Sequence, residues 1–215
     1  RGLHDDAKAR LRALIGDNLS DQQRTQIIGV MAEVGLMLGE IESAISFIRE
    51  ASELAKSFMA PAVRIFNLDS QEAVMLALLG QTDAAIAFTD AIAAQLQAPM
   101  THYLNFNYVN IYDLADNREE YRRWALKNQE VGSQLPDVFD PFLEMESAQI
   151  SIWDGEHEAA VESLNRASAM FEQSFMQVAQ DSLSMSDIYI GIAELYLEAG
   201  ETEKAKAQLE EILRV

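Results

Sequence analysis

Several residue types that many functions require are missing or scarce in this sequence. The 215 residues include no cysteine, which excludes disulfides, cysteine-type zinc sites and thiol catalysis. Glycine (10) and proline (4) are few, and no run of about 18 apolar residues occurs, so no membrane-spanning helix is predicted. Cations are scarce as well, because 16 Lys and Arg stand against 35 Asp and Glu, giving a net charge of −19. This charge lacks the basic footprint of nucleic-acid binding and favours neutral or basic partners.

No pattern in the sequence points to catalysis. A glycine-rich phosphate loop, a nucleophile elbow and a helix-borne zinc-protease motif are all missing, and the three histidines lie far apart in the sequence. We therefore expect neither an enzyme nor a bound cofactor. The acidic turn at residues 154–158, which contains His157, is the remote alternative of a metal-dependent or small-ligand site. Acid at such a turn normally complements the dipole of the helix that follows.

The sequence instead contains a turn signature that recurs about every 40 residues. In each copy an apolar helical run ends at a glycine, a short polar run follows, and an alanine lies five positions after the glycine. The glycines are Gly39, Gly80, Gly155 and Gly200, and Asp116 or Asn117 takes this place in one further copy. Such a period predicts a helical solenoid, in which each unit buries its apolar face against the next. Eleven helices are expected, at residues 3–15, 21–38, 40–57, 61–79, 82–97, 101–115, 117–134, 139–154, 156–175, 180–199 and 201–214.

The last copy carries the most specific pattern. Tyr189, Ile192, Ala193 and Tyr196 place a large residue, an apolar–small pair and an aromatic three or four positions apart, and Ala205 follows in the next helix. In these residues the segment resembles a tetratricopeptide repeat, whose small residues let paired helices approach closely. Small residues take the corresponding positions elsewhere, at Ala32, Ala44, Ala73, Ala85, Ala148 and Ala160. The resemblance implies an all-α, right-handed α-solenoid of antiparallel helix pairs, and the long spacing is similar to that of repeats in bacterial signalling proteins.

We expect a single solenoid domain over residues 1–215, cut from a longer protein. Residues 1–18 match the second helix of a repeat whose first helix is missing. Five repeats are then expected, at residues 19–58, 59–98, 99–135, 136–178 and 179–215. The segment from Tyr103 to Gln134 departs from the pattern, because it has no turn glycine and Tyr121 or Arg122 stands where the second small residue is expected.

In proteins of this family the first helices line a concave face, and here they contain almost no cations. No Lys or Arg occurs between Arg64 and Arg118, so a clamp for a peptide carboxylate is not expected. The helix at 101–115 is instead rich in asparagine and aromatic residues, which are weak helix formers but suit recognition surfaces. With its neighbours it predicts a partner-binding face of Asn67, Ser70, Tyr103, Phe106, Asn107, Asn110, Met145 and Gln149. The alternative is that the aromatics belong to the core and the asparagines stabilise an irregular repeat.

These observations favour a non-catalytic protein-interaction or sensor module of a larger bacterial regulatory protein. The expected partner is a neutral or basic peptide or helix, and the stretch at residues 137–162, which has many carboxylates and no Lys or Arg, points the same way. A dimerisation or spacer module acting through uncapped ends, and hence a homodimer, is the alternative. The chain is expected to be soluble, in either the cytoplasm or the periplasm.

Overall fold

The structure is all-helical over the residues that it describes. It is a computed structural model that describes residues 9–15, 18–175 and 184–212, and no β-strand occurs within these ranges. The chain divides into two compact units between Trp124 and Ala125. The predicted all-α fold is confirmed.

Each unit is built from pairs of helices joined by short turns. The first unit contains α1 (residues 9–14), α2 (Asp21–Met37), α3 (Ile41–Ala55), α4 (Pro61–Arg64), a π-helical turn (Ile65–Asp69), α5 (Ser70–Leu78), α6 (Thr82–Ala93), α7 (Met100–Tyr103), α8 (Asn105–Leu114) and the beginning of α9 (Arg118–Val131). The second unit contains the end of α9, 3₁₀ turns at Gly132–Gln134 and Asp137–Phe139, α10 (Asp140–Trp153), α11 (His157–Phe175), α12 (Ser184–Glu198) and α13 (Thr202–Ile212). The best-packed pairs are α2 with α3, α5 with α6, α10 with α11, and α12 with α13.

The turns inside the pairs share one hydrogen-bonding pattern. The amide of Gly80 donates to the carbonyl of Ala77 at 2.8 Å, and the amide of Gln81 donates to the carbonyl of Leu76 at 3.0 Å. This Schellman motif needs a residue in the left-handed region, and Gly80 has φ +73°. The same pattern, with positive φ, occurs at Gly39, Gly155, Gly200 and Asp116. The predicted turn signature is therefore confirmed, and Asp116 is the residue that replaces glycine.

Small residues let the paired helices approach closely, as the sequence predicts. The alanines at the expected small positions are all buried: Ala32, Ala44, Ala73, Ala85, Ala148, Ala160, Ala193 and Ala205. In the first pair a Cβ added to Gly35 would lie 3.3 Å from the Cβ of Ala44, so the backbones are almost in contact there. Tyr121, which stands at this position in α9, is buried as well.

Each unit has its own hydrophobic core. In the first unit Ile28, Ile48 and Leu68 belong to one cluster of buried side chains. In the second unit Leu164 and Phe171 are fully buried, and the Phe171 ring meets Phe142 edge-on with ring centroids 5.3 Å apart. Burial of such side chains supplies most of the favourable free energy of folding in each unit.

In two repeats, the first of the two paired helices is not continuous, although the sequence predicts a continuous helix. The helix expected at 61–79 contains the π turn, in which the amide of Ser70 donates to the carbonyl of Ile65, five residues earlier. The helix expected at 101–115 is divided at Leu104, between α7 and α8. A π turn contains more residues than an α-helical turn, so it changes which later residues lie on the outer face. The predicted beginnings of the helices at 3–15 and 180–199 lie outside the described residues.

Candidate functional site

An exposed aromatic ring lies against a half-buried one on the first helices of the first unit. Phe66, in the π turn, is 40% exposed, and its ring centroid lies 5.5 Å from that of Tyr103 in an edge-on arrangement. Asn67 and Asn110 are exposed, and Phe106 is half-buried. We call these five residues the first-helix face. Four of them belong to the partner-binding set predicted from the sequence, and Phe66 is the addition.

Polar side chains hold the π turn in place. The Ser70 hydroxyl donates to the carbonyl of Phe66 at 2.6 Å, and the Gln71 amide donates to the carbonyl of Asn67 at 2.7 Å. The side-chain amide of Asn107 donates to the carbonyl of Ser70 at 3.1 Å, which ties α8 to α5. Two of these bonds lie at exposed sites on the helix itself, and the third, from Asn107, is part-buried and connects two helices. Phe66 and Asn67 are presented by a braced segment.

The structure places Ser70 and Asn107 differently from the other predicted contact residues. Asn107 is buried, and its amide is engaged with the backbone of α5. The sequence pattern puts Tyr103, Asn107 and Asn110 on one face, but the division at Leu104 lies between Tyr103 and Asn107, and only Asn110 of the three is fully exposed. A role for any of these residues in partner binding stays a prediction.

Met145 and Gln149, the predicted contacts in the second unit, take part in helix packing. Gln149 is buried, and its amide donates to Glu198 at 3.1 Å. Met145 is half-buried, and a Cβ added to Gly191 would lie 3.2 Å from its Cε. Both side chains therefore help to join α10 to α12.

The aromatic residues of α7 and α8 divide between a place in the core and a place near the surface. Tyr108 is buried and stacks on Trp124, with ring centroids 3.9 Å apart and planes within 9°. Its hydroxyl donates to Asp90 at 2.5 Å, and burial, followed by this hydrogen bond, raises the pKa of Tyr108. The phenol therefore stays protonated and acts as a structural donor. Tyr108 belongs to the packing of the first unit, whereas Tyr103 lies next to an exposed ring.

A buried ion pair next to the π turn was not predicted from the sequence. Asp69 is buried and lies 2.9 Å from the Arg64 guanidinium, and the Ser52 hydroxyl donates to it at 2.5 Å. Arg64 also donates to the Ser52 hydroxyl at 2.8 Å. Arg64 is thus engaged inside the unit, and α5, α7 and α8 contain no Lys or Arg. The first-helix face has no guanidinium or ammonium group of its own.

A second charged pair joins α3 to α5, about one helical turn after Asp69. Buried Glu72 accepts two hydrogen bonds from the guanidinium of Arg49, at 2.7 and 2.8 Å. The sequence does contain a signal for both pairs. Asp69 and Glu72 precede Ala73 by four residues and by one, the positions that Tyr189 and Ile192 take before Ala193. Carboxylates in places where the repeat requires core residues indicate buried carboxylates with partners.

A third buried carboxyl lies in the second unit. Glu146 on α10 is 4% exposed and accepts a hydrogen bond at 2.8 Å from the amide of Asn128, which is fully buried on α9. Burial raises the pKa of Glu146 to about 8, and the hydrogen bond from Asn128 opposes this only in part. The group is therefore mostly protonated at neutral pH.

The acidic turn at residues 154–158, which the sequence suggests as a possible metal site, is open to solvent. Glu156, His157, Glu158 and Glu162 line an open depression of about 910 Å³ and are all exposed. Among the residues that the structure describes, no group of three or more His, Asp or Glu could hold a metal ion. Over the same residues, no helix is long and apolar enough to cross a membrane.

Comparisons with known proteins agree with this architecture. Residues 186–215 match the family model of the tetratricopeptide repeat. Among solved structures, the chain is similar to BtubC (BKLC) from P. vanneervenii, with 18% identity over 99% of this chain and 88% of that chain and a TM-score of 0.52. It is also similar to the nearly identical TPR-like repeats of a candidate kinesin light chain from Podosopora anserina (14% identity, 92% and 96% coverage, TM-score 0.49) and to a tetratricopeptide repeat protein from Parabacteroides merdae ATCC 43184 (14%, 99% and 73%, 0.46).

The family match falls on the segment that carries the most specific sequence pattern. No curated protein shows a significant match to this chain. At 18% identity, the similarity to BtubC shows the fold alone. The long-repeat bacterial subtype stays a prediction. Residues 186–215 therefore match a tetratricopeptide repeat, and the similarity to BtubC shows a shared helical fold.

Proposed function

We propose that this chain is a protein-interaction module whose first-helix face binds a neutral or basic peptide or helix. Repeats of this family generally mediate protein–protein interactions and are typically non-catalytic scaffolds. The observation that carries the proposal is the edge-on pair of exposed Phe66 and half-buried Tyr103, flanked by exposed Asn67 and Asn110. Exposed aromatic rings beside adaptable amides are the residue types that dominate the centres of protein interfaces.

The rigidity of the segment favours this role. Ser70, Gln71 and Asn107 brace the π turn through three side-chain hydrogen bonds to backbone carbonyls. A surface held in one conformation loses little conformational entropy on binding, so more of the contact energy appears as affinity. π turns within α-helices are also found frequently at functional sites.

Charge sets the class of partner. The first-helix face has no cation, and Arg64 is engaged by Asp69 and Ser52. With a net charge of −19, the chain repels acidic partners at a distance. A peptide that contains aromatic or aliphatic residues and few carboxylates fits this face best.

Selection from an unbiased displayed peptide library against the whole chain tests the proposal. We expect the selected peptides to lose roughly tenfold or more in affinity when Tyr103→Ala and Asn110→Ala are combined, because truncation of an interface aromatic commonly costs this much. Gln95→Ala, an exposed amide outside the first helices, is the matched control and should leave affinity unchanged. Asn107 is unsuitable for this purpose, because its loss also removes the bond to α5.

Three results would contradict the proposal. The first is peptide affinity that does not depend on Tyr103 and Asn110. The second is a selection that yields no binding peptide. The third is light scattering that shows a dimer whose dissociation follows the same two substitutions, since the face would then serve self-association.

A further inference from the structure

An ion pair spans the π turn of the first unit. Arg64 is the last residue of α4 and Asp69 is the last residue of the π turn, and the Arg64 guanidinium lies 2.9 Å from the Asp69 carboxylate. Side chains five positions apart on an α-helix point about 140° away from each other, so they do not meet. The hydrogen bonds of a π turn join residues five apart, which places such residues one above the other. The pair is therefore specific to the π conformation.

The π turn also determines where Phe66 lies. Phe66 precedes Ala73 by seven positions, and residues seven apart in an unbroken α-helix lie on nearly the same face. Ala73 is fully buried, whereas Phe66 is 40% exposed. The π turn separates the two faces, because its extra residue rotates the residues before the turn relative to α5. In an unbroken helix the Phe66 ring would be directed toward the buried side of α5.

The helix that follows the turn is held in place independently of the pair. Glu72 of α5 accepts two hydrogen bonds from Arg49 of α3, at 2.7 and 2.8 Å, and the amide of Asn107 donates to the carbonyl of Ser70 at 3.1 Å. Before the turn lie only the four residues of α4 and the loop that precedes them. A change of register would consequently move α4 and Phe66 rather than α5.

The pair across the turn is buried and has an anchor of its own in α3. The side chains of Arg64 and Asp69 are 12% and 8% exposed. The Ser52 hydroxyl donates to Asp69 at 2.5 Å and accepts from Arg64 at 2.8 Å. An α-helical register would separate Arg64 from Asp69 and leave a buried charge without its partner, which is strongly destabilising. The pair thus favours the π register over the α register.

We propose that Arg64 and Asp69 are positioning residues of the first-helix face: their pairing holds the π register, and this register directs Phe66 outward. The consequence for partner binding rests on the proposed function, whereas the effect on the position of Phe66 does not. The sequence alone does not reveal this role, because the unbroken α-helix that the periodicity predicts would keep the two side chains apart.

A single thiol at position 66 measures the register. The chain contains no cysteine, so Phe66→Cys introduces one thiol, whose alkylation rate follows its exposure when it is normalised to the rate in urea. In this background, Arg64→Gln combined with Asp69→Leu removes both charges together, so neither is left buried alone. We expect the double substitution to slow alkylation roughly threefold or more, as the helix takes the α register.

The second charged pair of the same helix provides the matched control. Arg49→Gln combined with Glu72→Leu makes the same change in charge, but this pair joins α5 to α3 and does not span the π turn. The control should leave the alkylation rate unchanged. Arg64→Lys retains the cation and should keep the parent rate as well. A pair with a merely structural role would not distinguish the two double variants.

Three results would overturn the proposal. One is an alkylation rate that the Arg64 and Asp69 double variant leaves unchanged. Another is an equal decrease in the Arg49 and Glu72 control. The last is loss of the helical circular-dichroism signal in the Arg64 and Asp69 variant alone, because the pair would then be required for the fold and not for the register.

The consequence for binding is measured in the chain that retains Phe66. Peptides selected against the whole chain should bind the Arg64 and Asp69 double variant roughly tenfold more weakly and should bind the Arg49 and Glu72 control with the parent affinity. Slower alkylation with unchanged peptide affinity would support the positioning of Phe66 and contradict the first-helix face as the binding site. If no peptide is selected, the proposed function fails, and alkylation alone still decides the register.

Discussion

The buried carboxyl of Glu146 is predicted to contribute less to stability as pH rises. The side chain is 4% exposed and its one hydrogen bond comes from the amide of Asn128 at 2.8 Å. Its second oxygen, Oε2, and the Asn128 Oδ1 are both buried without a hydrogen-bond donor among the described residues. Both atoms are acceptors when the carboxyl is ionised. The fold therefore favours the protonated acid, in agreement with the raised pKa of about 8.

The size and sign of the effect follow from this shift. The ordinary pKa of the group is 4.5, and in the folded chain it is about 8. Between these values the folded state holds a proton that the unfolded state has lost, so the contribution of Glu146 to stability is greatest below pH 4.5 and decreases as pH rises to 8. One pKa unit corresponds to about 1.4 kcal/mol, which gives a total loss on the order of 5 kcal/mol.

Glu146→Gln isolates this contribution. Glutamine has nearly the shape of a protonated glutamate but does not titrate. In urea unfolding followed by circular dichroism at pH 5, 6, 7 and 8, we expect the variant to gain about 1.4 kcal/mol per pH unit over the parent chain. Differences between the two proteins cancel the contributions of the other carboxylates. Glu162→Gln, an exposed position on α11, is the control and should follow the parent profile.

Parallel pH profiles for the parent and Glu146→Gln would refute this reasoning. They would show that the folded chain tolerates an ionised carboxylate at this position, for example by admitting water to Oε2. A variant that is less stable than the parent by the same amount at every pH would refute it equally, because a lost contact would then outweigh the lost charge.

Two further predictions concern the first unit and use urea unfolding with matched variants. Gly80→Ala should cost about 1–2 kcal/mol because of φ +73°, whereas Gly29→Ala within α2 should gain roughly 0.5–1 kcal/mol, although an added Cβ meets open space at both positions. Equal effects would contradict the conformational explanation. Asp69→Ala should cost about 3–5 kcal/mol because it leaves Arg64 buried without its partner, whereas Glu53→Ala, which removes the exposed pair with Lys56, should cost less than about 1 kcal/mol. Similar losses would argue against a buried pair.

The turns and the close helix contacts could be predicted from the sequence because local chemistry decides them. A helix that ends at Gly80 with φ +73° needs a residue without Cβ strain, and such a residue is visible in the sequence. The alanine at position 85, five residues later, is buried because the two helices approach there. Both features depend on residues close together in the chain, so four of the turns show them, and the turn at Asp116, followed by Tyr121, is the exception.

The π turn and the division at Leu104 could not be predicted because no local residue pattern marks them. The contact next to the π turn comes from Asn107, which is 37 residues from Ser70, whose carbonyl accepts its hydrogen bond. Helical periodicity assumes an unbroken helix of 3.6 residues per turn, and these irregularities change the register. Asn107 and Asn110 both lie in unbroken α8, and Asn107 is buried because it faces α5, to which its amide donates, whereas Asn110 is exposed. The residue types of the face were predictable, but the depth of each side chain was not.

The residues that stabilise the first unit differ from the apolar residues on its exposed surface. Buried alanines, the glycine turns and the pairs of Asp69 with Arg64 and Glu72 with Arg49 hold its helices together. Phe66 and Met37 are 40% and 70% exposed, so each keeps a substantial part of its apolar surface in contact with water. Substitution of these exposed side chains can consequently change binding without changing the free energy of unfolding. If both quantities changed together, the exposed apolar residues would be part of the fold, and their retention would need no partner to explain it.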